Sequence, residues 1–578
     1  MSEKETIKIS GAEALVKSLI EEGADIVFGY PGGAILTVYD KLYDYTDRLN
    51  HILVRHEQGA VHAAQGYARV SGRTGVVIVT SGPGAANVIT GLSDAMADST
   101  PLVVITGQVG RQYLGSDAFQ ETDVVGITQP ITKWAYQVRR PDEVASAVAR
   151  AFYIASTGRP GPVVLDIAKD AQVGLTDWHY EPVNFIRSYN PLPEIDDTAL
   201  AEAAALINKA ERPMILVGQG VVISGATESL RLLADKASIP VCSTLLGLSA
   251  MPSEHRLMKG MLGMHGNIGP NVNTNRADLI IAVGMRFDDR VTGNTAAYAP
   301  QAKIIHIDID PSEFDKTVRS TIAINADARQ ALERLLPMID EADHSDWIGS
   351  FDRHNDVERE KVVAVELKRP EGSKLTMGEV ISKISDATGH RAVAVTDVGQ
   401  NQMMSARYFK FTSPRSFISS GGLGTMGFGL PAAIGAKIAA PERTVCLFCG
   451  DGGFQMTIQE LGTIMEYEVG VKMVILNNNF LGNVRQWQNL FYQRRFSQTP
   501  MMNPDFIKIA SAYGIQGEDV IDRESLDGAI SRMLADDRPY LLNVQIDETD
   551  MVFPMTPAGQ AVDHVLLSAD SPYNPNQD

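Results

Sequence analysis

Two short runs carry residue types suited to holding a cation against phosphate. Gly450-Asp451-Gly452 follows an apolar run, and Asn477-Asn478 closes the next one, with 27 positions from Asp451 to Asn478. A hard cation such as Mg2+ takes oxygen ligands and keeps part of its shell for phosphate. A carboxylate and an amide oxygen from neighbouring strand ends supply such ligands, and a following backbone carbonyl can add a third. The glycines beside Asp451 let a phosphorylated ligand approach the backbone. Either run alone is an ordinary turn; the pair, each at a strand end, points to chemistry. Glu57, in RHEQGAVHAAQGYAR, is a second candidate. In isolation an acid opening an Ala- and Gly-rich helix is first of all a helix-start charge. Cys446 and Cys449 form a lone Cys-x-x-Cys. It lies in a strand-like run, where residues three apart face opposite sides, so neither metal nor redox use is expected.

These residues need elements to position them. Apolar runs recur at 25–29, 75–80, 101–107, 161–167, 213–218, 278–284, 303–309, 392–397, 444–450, 471–477 and 539–546. Val/Ile/Leu runs without polar alternation predict strands buried on both faces. Ala/Glu/Leu-rich segments such as 11–22, 198–210 and 376–388 predict intervening helices. The alternation implies an α/β chain of doubly wound parallel sheets. Residues 171–197, with several prolines and aromatics, and the charge-rich 341–375 read as linkers. They divide the chain into 1–175, 195–340 and 370–550, followed by a tail, 551–578, expected to end disordered. Ligands of open parallel sheets bind beyond the carboxyl ends of strands. There the sequence has GYPGGA, TSGPGAAN, VGMRFDDR, DVGQNQ, CGDGGF and LNNNFLGN.

A chain of 578 residues exceeds one hydrophobic core, and three domains of ordinary size fit. A net charge of −19 with no Lys/Arg cluster disfavours nucleic acid as a partner. The polar start MSEKETIKIS has no apolar signal core, and the most apolar long stretch, 424–440, is too short and broken to span a bilayer. Three cysteines agree with a reducing compartment. The expectation is a cytoplasmic protein without a membrane partner.

HEQGA, TSGPGAAN, DAFQE, SGRPGP, MLGMHG, RFDDRVTG, SGGLGTMGFGLPAAIGA, GDGGF and a QW pair after the asparagines follow one another in this order. Over nearly its whole length the chain thus resembles the catalytic large subunit of acetohydroxyacid synthase, a thiamine-diphosphate enzyme. The resemblance implies three domains: a pyrimidine-binding N-terminal one, a central FAD-binding one, and a C-terminal one holding diphosphate and Mg2+. It makes Asp451, Asn478 and the Phe480 carbonyl the Mg2+ ligands. It makes Glu57 the acid on the cofactor's aminopyrimidine ring. Tyr30, Pro83, Asn87, Gln400, Asn401, Gly424, Gly452, Gly453 and Gly482 match cofactor contacts, and Met426 matches the residue that wedges the cofactor into its bent form. Taken alone, Met426 would be a core methionine.

The flavin contacts implied are Arg159, Gly218, Gly220, Thr244, Leu245, Leu262, Gly263, Met264, His265, Gly284, Arg286, Asp288, Arg290, Asp308 and Asp327. Asp308 ends a strand, where an acid can take a ribose hydroxyl. Phe119 and Gln120 match residues at the reacting centre. Arg290, with Lys169 nearby, matches the group that meets the second substrate's carboxylate. Trp487 matches the residue that selects that substrate, although a core role is the alternative. The family decarboxylates pyruvate and joins the two-carbon unit to pyruvate or 2-oxobutyrate. The products are 2-acetolactate and 2-aceto-2-hydroxybutyrate, the first common step toward valine, leucine and isoleucine. FAD is not consumed. The resemblance further implies a homodimer or tetramer with sites shared between chains, and a separate small regulatory subunit. Two positions depart from the pattern: Asn401, commonly His, and Asn483, often Met or Leu. A catabolic acetolactate synthase, a pyruvate oxidase and a non-catalytic flavin-binding protein are the alternatives. RFDDR with Gln486-Trp487 argues against the first two, and an intact Glu57, Asp451 and Asn478 against the last.

Overall fold

The computed structural model describes residues 7–370 and 372–575. Each apolar run named above forms a strand. The strands assemble into three six-stranded, wholly parallel sheets. Gly75–Val79, Leu102–Gln108, Pro162–Ala168 and Val471–Asn477 are buried at every position, as strands covered by helices on both faces must be.

The first sheet runs, in space, Asn50–Leu53, Ile26–Tyr30, Gly75–Val79, Leu102–Gln108, Pro162–Ala168, Trp134–Val138. The third runs Phe417–Ile418, Val393–Thr396, Val445–Gly450, Val471–Asn477, Tyr540–Gln545, Gln516–Val520. Numbered within their own sheets, both read 2-1-3-4-6-5. The middle sheet runs Met258–Met261, Val241–Ser243, Pro213–Val217, Leu279–Val283, Lys303–Asp308, Ile322–Asn325, which is 3-2-1-4-5-6, the dinucleotide-binding order. In each sheet the chain leaves two adjacent strands in opposite directions, and a crevice opens at their carboxyl ends. Those strands end at Tyr30 and Val79, at Val217 and Val283, and at Thr396 and Gly450.

The first and third sheets meet through helices Glu57–Ser71 and Gly429–Ala439. A Cβ on Gly66 would lie 2.0 Å from the Ala432 carbonyl oxygen, and one on Gly435 1.8 Å from that of Ala63. Only glycine permits this backbone contact.

Two expectations are revised, and a third, the disordered end of the tail, lies outside the described residues. Residues 341–375 are not an open linker: Ser345–Glu358 is a helix that continues through Leu367. Trp347 and Phe351 bury its apolar side in the middle core, and the Trp347 indole donates to the Pro213 carbonyl at 2.7 Å. Its charges are its outer face, which is why composition suggested a linker. In 171–197, Leu175–Asp177 pairs antiparallel with Lys8–Ser10. The tail is packed over 551–575, burying Val552, Phe553, Met555, Val562, Val565 and Tyr573; its last three residues lie outside the described ones. Cys446 and Cys449 do face opposite sides of their sheet, each within a separate core cluster. Burial pushes the Cys446 thiol up to about 12. Among the described residues no helix is long and apolar enough to cross a membrane.

Candidate functional site

The strand Val445–Gly450 runs directly into the helix Asp451–Met456, which sets Asp451 at the third crevice. Its carboxylate is 1% exposed, and burial raises its pKa against the opposing hydrogen bond from Asn503. That bond, Nδ2 to Oδ2 at 2.6 Å, comes from an amide, and among the described residues no Lys or Arg pairs with Asp451. A buried carboxylate without a cation is costly, so the site fits one that arrives with a ligand. Among the described residues no three or more His, Cys, Asp or Glu side chains cluster to hold a metal. A cation at Asp451 would have to be completed by amide and carbonyl oxygens and by oxygens of its own ligand.

Asn478, 4% exposed, follows the adjacent strand. Its Nδ2 donates to Gln400 Oε1 at 3.2 Å, and its Oδ1 accepts from the Phe480 amide at 3.1 Å. Gly452 and Gly453 leave no room for a side chain: a Cβ would stand 2.8 Å from Leu481 Cδ2 and 2.3 Å from Asp397 Oδ1, respectively. Met426, half-buried, has its Cε 3.7 Å from the position of a Gly452 Cβ. Gly424, before it, adopts φ +73°. Asn401 is buried, and its Oδ1 finds no protein partner.

Glu57 opens its helix at the first crevice, 13% exposed in its side chain. Asn87 Nδ2 donates to its Oε2 at 2.9 Å. Pro83 begins the short helix Pro83–Ala86, after Gly82 at φ +57°. A Cβ on Gly84 would sit 3.3 Å from Glu57 Oε1, and glycine leaves that space open. The nearby Thr80 and Ser81 hydroxyls are buried without partners, which suits a polar ligand. Tyr30, at the end of its strand, is 39% exposed. Phe119 is 89% exposed, and Gln120, at φ +60°, backs onto Gly82. Lys169 is exposed at the start of the helix Lys169–Val173. Among the described residues no hydrogen bond joins the Glu57 group to the Asp451 group, nor Lys169 to Arg290.

A cavity of about 640 Å³ opens at the middle crevice, a volume suited to a cofactor. Gly220, Gly284, Thr244 and Leu245 line it at the strand ends, with Leu262, Met264 and His265 along one wall. Arg159, Arg286, Asp288, Arg290, Asp308 and Asp327 supply its charge. Gly218 and Gly263 stand behind, where Cβ atoms would lie 2.2 Å from the Gly284 carbonyl oxygen and 2.5 Å from that of Arg290. Burial raises Asp308 to about 6 and lowers His265 to about 3. His265 is thus neutral, and its Nδ1 is buried without a partner, as a group awaiting a polar ligand would be. Asp288 and Asp327 also cap helices, accepting from Arg290 and Val291 and from Gln330. Arg159 bridges from Ser99 to Asp310 and Glu313. The far end of the cavity reaches Gly421, Gly424, Asn483 and Trp487, so the middle and third crevices share one space. Trp487 leans on Phe491, ring centroids 5.1 Å apart, with its other contacts in a cluster around Phe553 and Met555.

Several supporting residues escaped the sequence reading. Asp397 is fully buried and accepts the Gly427 and Gly429 amides that follow Met426. Asn503 ties Asp451 to Asn477 and Asn479. Asp94 and Asp98 accept from Ser420, Thr425, Gly421 and Gly422, so the first sheet grips the loop before Met426. Asp397 closes an apolar run and could have been read as Asp451 was; the other three have no local signal.

Residues 9–127, 200–335 and 397–544 match, in turn, the N-terminal TPP binding, central and C-terminal TPP binding domains of thiamine pyrophosphate enzymes. The chain is 44% identical over 566 residues to a probable acetolactate synthase large subunit of Methanocaldococcus jannaschii, covering 96% of this chain and 95% of that one. It is 44% identical over 559 residues to the acetolactate synthase large subunit of Lactococcus lactis, covering 96% of each. It is 43% identical over 568 residues to the acetolactate synthase isozyme 3 large subunit of Escherichia coli, covering 97% and 99%.

Proposed function

We infer the reaction from the fact that the chain belongs to the acetolactate synthase large subunits, a branch of the thiamine pyrophosphate enzymes. It is a thiamine-diphosphate-dependent carboligase that joins pyruvate to a second 2-oxo acid, giving 2-acetolactate or 2-aceto-2-hydroxybutyrate. The observation that carries this reading is the buried Asp451 carboxylate beside Asn478, with neither a Lys nor an Arg to neutralise it among the described residues. When bound, thiamine diphosphate supplies a carbon nucleophile and an electron sink. The protein's part is to hold and orient. Asp451, Asn478 and the Phe480 carbonyl would hold Mg2+ and, through it, the cofactor's phosphates. Met426 would pack against the cofactor. Glu57, oriented by Asn87, shares a proton with the aminopyrimidine ring. Arg290, at the cavity wall, takes the planar carboxylate of the second oxo acid. Assaying acetolactate with thiamine diphosphate, Mg2+ and FAD omitted in turn tests this; undiminished activity without the first two would overturn it.

The middle crevice would hold FAD as a structural group, with Asp308 available to accept from a ribose hydroxyl. The net reaction has no oxidation for it to perform. A flavin analogue unable to cycle between redox states therefore supports full activity. Loss of activity with that analogue firmly bound would reject the structural role.

Glu57 and Asp451 belong to separate groups within one chain, and apolar Phe119, next to the Gln120 that backs onto Gly82, and Met502, next to the Asn503 that bonds Asp451, stand exposed. This supports a homodimer in which Glu57 of one copy meets Asp451 of the other, alone or paired into a tetramer. The relatives are named large subunits, in keeping with a separate small regulatory partner. Three unpaired thiols suit the cytoplasm.

Trp487 is the selectivity residue on this reading, lining the end of the cavity with Gly424 and Asn483. One extra carbon against an apolar wall is worth about 1–3 kcal/mol, or roughly 10–200-fold. Trp487→Leu lowers the ratio of acetohydroxybutyrate to acetolactate in a mixed-substrate assay, while acetolactate formation from pyruvate alone survives. An unchanged ratio would leave Trp487 as a packing residue against Phe491 and Phe553.

A further inference from the structure

A run of buried side-chain amides joins the tail to Asn478. Gln486, 2% exposed, lies on the helix Gly482–Phe491 and faces the backbone of Val552. The Val552 amide donates to Gln486 Oε1 at 2.9 Å, and Gln486 Nε2 donates to the Val552 carbonyl at 3.1 Å. Gln400, 4% exposed, comes next: its Nε2 donates to Gln486 Oε1 at 3.3 Å and to the Asp550 carbonyl at 3.0 Å. Its Oε1 then accepts from Asn478 Nδ2.

The polarity of this run is not free. A backbone N–H can only donate and a backbone carbonyl can only accept. Val552, whose N–H meets Gln486 Oε1 and whose carbonyl meets Nε2, therefore fixes which way round the Gln486 amide lies, and the same Oε1 is the atom presented to Gln400. Together with the Asp550 carbonyl, that oxygen requires the Gln400 nitrogen. Gln400 is left offering its oxygen to Asn478, which must answer with nitrogen. Asn478 Oδ1 is thereby turned away from Gln400, toward the Phe480 amide and the crevice. A hard cation binds an amide through oxygen, never through the NH2. Reversing any amide in the run would set nitrogen against nitrogen or oxygen against oxygen in a buried place, where each unmade bond is expensive.

We propose that Gln486 is a positioning residue: through Gln400 it transmits the backbone polarity of the tail at Asp550–Val552 to Asn478, so that docking of the tail sets the cation affinity of the site. The proposal rests on reading Asp451 and Asn478 as cation ligands. Gly482 belongs to the same device, since a Cβ there would fall 2.1 Å from Gln400 Oε1 and 2.7 Å from Asn478 Nδ2. Because coupling between two events is reciprocal, cation binding must in turn steady the tail.

The test uses the full-length chain stripped of cofactor, with Mn2+ as probe and thiamine diphosphate present, and free Mn2+ read by its spin-resonance signal. Gln486→Met keeps the volume and removes the amide. It weakens Mn2+ about tenfold, the usual cost of losing a partner behind a metal ligand. Gly482→Ala, which crowds Gln400 Oε1 and Asn478 Nδ2 while leaving the Gln486–Val552 bonds in place, does the same and stands in if Gln486→Met fails to fold. In the Asn478→Asp background the effect of Gln486→Met vanishes or reverses. A carboxylate offers oxygen on both sides, and a released Gln400 is then free to turn its nitrogen toward it. Hydrogen exchange over 550–556 slows on adding Mn2+ and thiamine diphosphate in the parent, but not in Gln486→Met. Native Mn2+ affinity in both Gln486→Met and Gly482→Ala overturns the proposal, as does a loss from Gln486→Met that is equal in the Asn478→Asp background. Asp451→Ala separates the premise: if it too binds Mn2+ like the parent, the cation-site reading has failed and not the amide run alone.

Discussion

Glu57→Gln lowers turnover by about 10²–10⁴-fold, the range for removing an acid–base partner, and leaves the fold and the assembly intact. The substitution is nearly isosteric. The amide oxygen of glutamine can still accept from Asn87, which now meets Glu57 Oε2 at 2.9 Å, so the start of the helix Glu57–Ser71 is not disturbed. The helix start has further supports: His56 Nδ1 accepts from the Gln58 amide, and the buried Glu460 carboxylate accepts from the Arg55 amide. What is lost is a group that shares and yields a proton beside the open space over Gly84. Turnover at saturating thiamine diphosphate, alongside thermal unfolding and sedimentation, measures this. Near-normal turnover in Glu57→Gln would remove Glu57 from the chemistry and return it to a helix-start charge.

Asp451→Ala loses Mg2+ and thiamine diphosphate together, with affinity falling more than about 100-fold. Removing only a supporting partner of a ligand costs roughly 10–100-fold, and Asp451 is the single carboxylate of its set. The effect on stability has the opposite character. Burial raises the Asp451 pKa, so in the empty chain the ionised carboxylate is a cost that alanine relieves. The empty variant is therefore at least as heat-stable as the empty parent, and it fails to gain the stabilisation that saturating cofactor gives the parent by mass action. Dialysis followed by cofactor assay, with melting curves at several cofactor concentrations, separates these statements. Retention of cofactor equal to the parent's would reject the Gly-Asp-Gly reading.

Most central strands were legible because burial on both faces writes itself as uninterrupted Val, Ile and Leu; the three-residue Val241–Ser243, paired on both sides, was too short to show. The edge strands were not. Asn50–Leu53, Trp134–Val138, Met258–Met261, Ile322–Asn325 and Gln516–Val520 each pair on one side only and carry residues such as His51, Gln137, Lys259 and Glu518. Asp451 and Asn478 stood out because a sharp turn at a strand end needs glycine and exposes polar ends, which is a local event. Asp94, Asp98 and Asn503 act on backbone far away in the chain, and nothing beside them in the sequence announces it. The helix Ser345–Glu358 was mistaken for a linker because one buried face, made by Trp347, Phe351 and a few polar residues, was outvoted by its solvated charges.

The glycine contacts between the helices Glu57–Ser71 and Gly429–Ala439 bear on how the molecule can move. Carbonyl oxygens of Ala63 and Ala432 lie where the missing methyl groups of Gly435 and Gly66 would be, so neither helix can roll or slide past the other without a backbone collision. Shear at this contact is therefore blocked, so sliding of the first sheet past the third within one chain is not how the molecule opens to admit substrate.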